Sequence, residues 1–192
     1  MPMETAAPGR PRDQKVGLAL KAAALRLVRE KGYQNVSVAE ILKLSGVARQ
    51  SLYNRWKTKA DLVMEAFFED AGTRVRPPEF RPGQPARAEL ERFLNEVFDH
   101  LAASDGTLRS LIAAAQADPE FCRLFHDSFV QPREEMVVDF LAEAQRRGEL
   151  PAGRDPAMLA VFIHGAFWYR LLNGQPMDPA LARAIAAAAF GD

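Results

Sequence analysis

The chain has 192 residues, of which 48% are hydrophobic and 26% are charged, a balance that argues against a wholly disordered protein. Its single cysteine, Cys122, cannot form an internal disulfide, which argues against a disulfide-stabilised secreted module. No uncharged apolar run reaches the roughly 18 residues of a membrane span. Residues 1–12 also lack the apolar segment of a signal peptide. We therefore expect a soluble cytoplasmic protein with no membrane partner and no cofactor.

The charge is distributed unevenly along the chain. Residues 1–60 contain 12 Lys and Arg against 4 Asp and Glu, a net charge of +8, and the remaining residues carry −8. Such an asymmetry predicts a basic end that meets a polyanion and an acidic body that does not.

The first 14 residues are rich in proline, glycine and charge, and we expect a flexible basic arm there. Helical periodicity starts at Val16, and Gly32 is expected to end this first helix. Its apolar positions repeat at the spacing of one helix face, which we expect to be buried: Leu20, Ala23, Ala24, Leu27 and Val28.

Two short helices joined by a glycine turn are predicted next. Ser37 precedes Glu40 by three residues, which is the spacing of a capping box at a helix start. Gly46 lies where the turn needs a positive φ, and a further helix is expected from about Ala48 to Trp56. Helix, glycine-containing turn and second helix make a helix-turn-helix motif.

The rest of the chain is also predicted to be helical. Thr58 and Asp61 predict the start of a fourth helix, and Pro132 is expected to kink or divide a long helix after Pro119. No useful period-2 strand pattern occurs, so we predict an all-α fold of about nine helices. The predicted domains are a helix-turn-helix domain over 15–60 and a ligand-binding and dimerisation domain over 61–192.

The second helix of the motif has a polar outer face. If Leu52 is buried, the opposite side carries side chains suited to DNA: Arg49, Gln50, Tyr53 and Asn54. Arginine and amide side chains can bond guanine and adenine edges, and tyrosine can bond phosphate. The motif, the +8 charge and the basic arm together predict binding to double-stranded DNA.

Residues 16–64 resemble the N-terminal DNA-binding domain of the tetracycline-repressor (TetR) family. The resemblance rests on AAALRLVREKGY at 22–33, SVAEI at 37–41 and SGVARQSLYNRWKTKADL at 45–62. Two positions depart from the family pattern: Leu42 stands where a small alanine is usual, and Arg55-Trp56 replaces the commoner His-Phe.

The resemblance implies a ligand-responsive transcriptional repressor that binds a palindromic DNA operator as a homodimer and is not an enzyme. It also implies which residues touch DNA, with Ser37 and Lys59 at positions that usually contact phosphate. The recognition helix would supply Arg49, Gln50, Ser51, Tyr53 and Asn54.

The C-terminal body is rich in phenylalanine, and three of these residues lie four apart at 121, 125 and 129. A mostly apolar cavity with a few polar groups is the usual small-molecule site. We expect a hydrophobic effector that is uncharged or weakly charged, because the sequence shows no buried-looking Arg or Asp cluster as a counter-ion. The predicted pocket residues are Phe93, Val97, His100, Phe125, His126, Phe129 and Trp168.

The last two helices carry more apolar surface than one core face needs, which predicts a four-helix seam between two subunits. The predicted interface residues are Phe162, Ala166, Phe167, Ala182, Ile185, Ala186 and Ala189.

The sequence leaves two other interpretations of the protein's function open. A constitutive or architectural DNA binder would have a solidly packed C-terminal body without an effector cavity. An all-helical enzyme could use Cys122 and His126, which are four apart on a predicted helix, but the sequence offers no second ligand pair for a metal.

Overall fold

The structure, a computed structural model, describes residues 11–72, 76–103 and 106–191, and in these ranges it is helical with no strand. The chain divides into two compact units with the boundary between Phe67 and Phe68. The all-α prediction is confirmed. The first four helices are α1 Pro11–Lys31, α2 Val38–Ser45, α3 Arg49–Tyr53 and α4 Lys59–Gly72, with a 3₁₀ turn at Tyr33–Asn35.

Six more helices follow in the second unit. Their ranges are α5 Ala86–Ala103, α6 Thr107–Ala117, α7 Pro119–Phe125, α8 Gln131–Arg146, α9 Pro156–Leu172 and α10 Pro179–Phe190. A π-helical turn, His126–Val130, joins α7 to α8 without a break. When α7, this turn and α8 are counted as one interrupted helix, the described residues contain the expected nine.

The first helix begins earlier than the sequence indicated. The predicted arm covered residues 1–14, but α1 already starts at Pro11, and residues 1–10 lie outside the described part of the chain. Proline is well tolerated in a first helical turn, where its missing N–H has no intrahelical partner. Asp13, in that first turn, forms an ion pair with Arg55, which also donates to the Asp13 carbonyl over 2.6 Å.

The apolar stripe of α1 forms the core of the first unit, as predicted. Leu20 and Ala24 are fully buried, and so are Ile41 of α2 and Leu52 of α3. The two short helices therefore pack through one large side chain each against the long first helix.

The start and end of α2 follow from two local interactions. The predicted capping box is present: the Ser37 hydroxyl accepts from the Glu40 amide, and the Glu40 carboxylate accepts from the Ser37 amide. At the other end, Gly46 adopts the left-handed conformation with φ 67° and donates to the Leu42 carbonyl over 3.0 Å. These two caps fix the length of α2 and turn the chain toward α3.

In the second unit, α10 packs on α5 and α9 packs on α8. The predicted effect of Pro132 is confirmed, because the π-helical turn ends directly before α8, which carries this proline in its first turn. Proline has no N–H to donate to the carbonyl four residues earlier, so the regular series of α-helical hydrogen bonds is interrupted there.

The conformation of Gly46 generates a prediction. A Cβ added at Gly46 meets no atom within 4 Å, so alanine there suffers backbone strain without a steric clash. We expect Gly46→Ala to lower the free energy of unfolding by about 1–2 kcal/mol, measured by urea denaturation. Gly153, which also has open space but no positive φ, is the control. Gly153→Ala should change stability by less than about 0.5 kcal/mol, and equal losses in both variants would contradict the assignment.

Candidate nucleic-acid interface

The short helix α3 presents its polar residues to solvent. Leu52 is 0% exposed and anchors the helix, whereas Arg49, Gln50, Tyr53 and Asn54 are all exposed. The remaining predicted recognition residue, Ser51, is half-buried. One helix face thus combines a guanidinium, two amides and a phenol, which are groups that hydrogen-bond base edges and phosphates.

Two of these side chains are already held in place. The Gln50 amide donates to the Asn54 side-chain oxygen over 2.9 Å, across one turn of the helix. The pairing fixes the orientation of both amides, and each keeps further donors or acceptors for a base.

Ser37, predicted to contact phosphate, lies exposed at the start of α2 with its hydroxyl engaged in the capping box. The adjacent Glu40 carboxylate also accepts from Lys31 at the end of α1. These hydrogen bonds hold the pKa of Glu40 at about 2, with the bond from Lys31 as the largest cause. The carboxylate is therefore ionised at neutral pH and ties the first two helices together.

Lys59, the other predicted phosphate residue, has a structural role that the sequence did not reveal. Its ammonium donates to the backbone carbonyls of Tyr33 and Val36 over 2.9 and 2.8 Å, and lies 4.1 Å from the centre of the Tyr33 ring. Burial lowers the pKa of Lys59. The first residue of α4 is thereby fastened to the connection between α1 and α2.

Part of the predicted effector set is brought together in the second unit. The Phe125 and Phe129 rings stack with centres 5.2 Å apart, and Phe68 of α4 lies 6.1 Å from Phe129. Phe93 is buried in α5, where Val97 and His100 are half-buried, and Trp168 is half-buried in α9.

His126 does not join the ring cluster. Its side chain is exposed, with Nδ1 lying 2.9 Å from the Asp127 carboxylate, because consecutive residues of a helix point about 100° apart and the preceding Phe125 is the buried one. Cys122, its partner in the enzyme reading, is half-buried. Among the residues that the structure describes, no group of three or more His, Cys, Asp or Glu could hold a metal ion.

A cation that the sequence analysis missed lies beside these rings. The guanidinium of Arg133 is 3.9 Å from the centre of the Phe129 ring, and its Nη1 donates to the Phe129 carbonyl over 3.2 Å. Position 133 continues the 121, 125, 129 series by four residues, and this spacing was the available signal. The sequence shows no buried-looking Arg or Asp cluster here, and Arg133, a single half-buried cation, was overlooked.

The predicted dimer residues separate into two groups. The prediction is wrong for Ala182 and Ala186, which are 0% exposed because α10 buries them within its own unit against α5. Phe167 is also buried and packs edge-on against Phe98 of α5, with ring centres 5.9 Å apart. These three side chains fill the core of one chain.

The other predicted dimer residues line an open groove between α9 and α10. This groove has a volume of about 450 Å³ and is lined by Phe162, Ala166, Ile185 and Ala189, among others. Large apolar side chains are exposed along α9 itself: Met158, Val161, Phe162, Tyr169 and Leu172. None of the described helices is both long and apolar enough to span a membrane.

Both units match known proteins. Residues 20–66 match bacterial regulatory proteins of the tetR family, and residues 84–189 match the tetracyclin repressor-like C-terminal domain. The chain belongs to the TetR family of transcriptional regulators.

A curated relative agrees with this membership, and solved structures share the fold. The chain is 29% identical to the uncharacterized HTH-type transcriptional regulator YdeS of Bacillus subtilis, over 95% of this chain and 91% of YdeS. Among solved structures, Salmonella enterica GusR has a TM-score of 0.77 at 17% identity, over 92% of this chain and 96% of GusR. FadR of Bacillus subtilis, solved with stearoyl-CoA, has a TM-score of 0.73 at 21% identity, over 91% and 97% of the two chains.

The two departures from the TetR pattern have local explanations. Leu42 is half-buried in α2 and leaves the packing of Ile41 on α1 intact. Arg55 holds the first turn of α1 through Asp13, and buried Trp56 donates its indole N–H to Glu65 over 2.7 Å. Arg55 and Trp56, which directly follow α3, thus link the end of that helix to α1 and to α4, respectively.

The contacts of Lys59 generate a prediction for this TetR-family domain. We expect Lys59→Met to lower the free energy of unfolding by about 1–3 kcal/mol, because two carbonyls lose their charged donor. Exposed Lys57 is the matched control, and Lys57→Met should change stability by less than about 0.5 kcal/mol. Thermal and urea denaturation of both variants measure the difference. Lys59→Met with wild-type stability would show that these bonds do not hold the domain together.

Proposed function

We propose that this regulator is a repressor that binds a palindromic operator as a homodimer and releases it when a small hydrophobic effector binds. Such a protein acts in the cytoplasm, where bacterial DNA lies. The observation that carries the DNA-binding part is the outer face of α3, where Arg49, Gln50, Tyr53 and Asn54 are exposed while Leu52 is buried.

In this proposal α3 enters the major groove, which is wide enough to admit a helix. Arg49 can make two parallel bonds to guanine, and the paired Gln50 and Asn54 can bond adenine. The hydroxyls of Tyr53 and Ser51 can donate hydrogen bonds to phosphates or base edges. Ser37 and Lys59 stand at the N-termini of α2 and α4, where backbone N–H groups and the helix dipole favour a phosphate.

The recognition proposal predicts the effect of Arg49→Ala. Affinity for the preferred sequence should fall by about 1–3 kcal/mol, and base preference should relax at one position in each half-site. An array of double-stranded DNA covering all ten-base sequences measures both quantities.

Arg123→Ala removes an exposed arginine from α7 and serves as the charge control, with an unchanged sequence profile. If Arg49→Ala leaves both the base preference and the affinity unchanged, α3 is not the helix that recognises the DNA sequence.

A second copy of this chain is the proposed occupant of the α9–α10 face. Contiguous exposed apolar surface on a folded chain marks an interaction site, and the exposed side chains of α9 border the apolar groove against α10. A twofold axis through this face would pair the same patch on both subunits and cover the groove of each with α9 of the other. The two DNA-binding units of one dimer would match the two halves of a palindrome.

Phe162→Glu tests this interface at a side chain that is 63% exposed in the single chain and therefore contributes little to its core. We expect multi-angle light scattering to show monomers. DNA binding should be at least about tenfold weaker, because a second DNA-binding unit no longer adds its contacts. Leu18→Glu changes a residue in α1 that is 60% exposed, and it should leave the dimer intact. A Phe162→Glu protein that remains dimeric would place the interface elsewhere.

The proposed effector site is the phenylalanine cluster of the second unit. Phe68, which stacks on Phe129, belongs to α4, and the same helix supplies Lys59 and Leu62 to the first unit. A ligand that displaces these rings would therefore move a helix shared with the DNA-binding unit, and the two DNA-binding units of a dimer would lose their matching separation. The FadR structure holds stearoyl-CoA, which supports an effector with an apolar part.

A further inference from the structure

Arg133 is a half-buried cation without an anionic partner. Within the described part of the chain no carboxylate lies within 4 Å of its guanidinium, whereas Glu143 at the other end of α8 pairs with Arg146 and Arg147. A guanidinium has five N–H donors, and the one bond that the structure gives it goes to the Phe129 carbonyl.

This arrangement is energetically unfavourable for the protein alone. Removing a charge from water is costly unless another charge and hydrogen bonds compensate it. Burial lowers the pKa of Arg133 to about 10, although the group remains charged at neutral pH. The contact with the Phe129 ring recovers only part of the lost hydration.

The backbone holds this guanidinium against the ring cluster. The π-helical turn His126–Val130 ends one residue before α8, and the Gln131 amide donates to the carbonyl of His126, five residues back. Phe129 and Arg133 are four residues apart and therefore lie on the same helix face, joined by the bond from Arg133 to the Phe129 carbonyl.

His164 on α9 feels the charge of Arg133 but is neutral or cationic, so it supplies no negative charge. Its Nδ1 lies 2.8 Å from the Ala160 carbonyl, which can only accept, so Nδ1 carries the proton and Nε2 is an acceptor in the neutral ring. Burial, as the largest cause, and the charge of Arg133 lower the pKa of His164. Glu134 acts in the opposite direction and raises the pKa of His164.

We propose that Arg133 binds the carboxylate of an amphipathic effector whose apolar part packs against Phe68, Phe125 and Phe129. The planar guanidinium matches a carboxylate through two parallel N–H···O bonds. Beside it lie the rings of Phe125 and Phe129, which are 4% and 6% exposed, and the half-buried Phe68, so the apolar part of the ligand would have to displace these rings. This inference rests on the proposed effector function and specifies its ligand class as a monocarboxylate with an aromatic or acyl body. It narrows the uncharged or weakly charged effector expected from the sequence to one that carries a single carboxylate.

The test compares carboxylates with neutral molecules of the same shape. Benzoate, 2-naphthoate and octanoate are each paired with the corresponding primary amide, and binding to the full-length protein without DNA is measured by isothermal titration calorimetry. For at least one pair we expect the wild-type protein to bind the carboxylate about tenfold or more tightly than the amide.

Arg133→Gln should reduce this preference to about twofold or less while leaving amide affinity within about threefold of wild type. Its melting temperature without ligand should equal or exceed that of wild type, because an uncompensated charge has been removed. Arg123→Gln, which changes an exposed arginine of α7, should retain the wild-type preference.

Equal binding of every acid and its amide by the wild type, or an unchanged preference in Arg133→Gln, would overturn the proposal. If Arg133→Gln does not fold, Arg133→Lys is used instead, because lysine keeps the charge but lacks the planar guanidinium with its two parallel N–H donors. The preference for carboxylate over amide should then fall at least about threefold. An unchanged preference in Arg133→Lys would also overturn it.

These measurements contain no DNA, so a failure of operator binding or release leaves their outcome unaffected. A carboxylate preference with no release of DNA would contradict the proposed repressor mechanism alone.

Discussion

The burial of Leu52 is the contact on which the DNA-binding unit depends. Helix α3 has only five residues, which is too short for a helix to persist in water by its own hydrogen bonds. Its orientation therefore comes from Leu52, which is 0% exposed against the core formed with α1 and α2. Because successive residues rotate by about 100° around a helix, burying Leu52 turns Arg49, Gln50, Tyr53 and Asn54 outward. The same contact thus stabilises the fold and selects the face that can meet DNA.

The surrounding contacts keep that short helix in one position. Ser37 and Gly46 cap α2, so the chain enters α3 at a defined angle. After α3, Arg55 fastens the chain to α1, and Lys59 bonds the carbonyls at 33 and 36. Each of these polar groups is satisfied by another element of the same unit. A side chain that is already ordered loses less conformational entropy when it binds, which favours specific recognition by a small surface.

The sequence predicted local structure well where a single residue type has one physical use. The capping pair Ser37 and Glu40, the positive φ of Gly46 and the interruption at Pro132 are of this kind, and so is the buried stripe of α1. The all-helical fold followed from such patterns, whereas the family followed from the resemblance of residues 16–64 to the TetR DNA-binding domain. Periodicity identifies an apolar face but does not show what covers it, so Ala182 and Ala186 were assigned to a partner although α5 covers them. His126 directly follows buried Phe125 and faces solvent, whereas Arg133 lies four residues after Phe129 and reaches its ring.

The most direct test of the account is selection of DNA from a random pool of about 40 base pairs by the purified full-length protein, followed by sequencing. The account predicts enrichment of an inverted repeat with half-site centres about one helical turn apart, or a whole multiple of a turn, because each subunit of a dimer presents one α3. Enrichment of a single asymmetric site, or of no sequence above the starting pool, would contradict it.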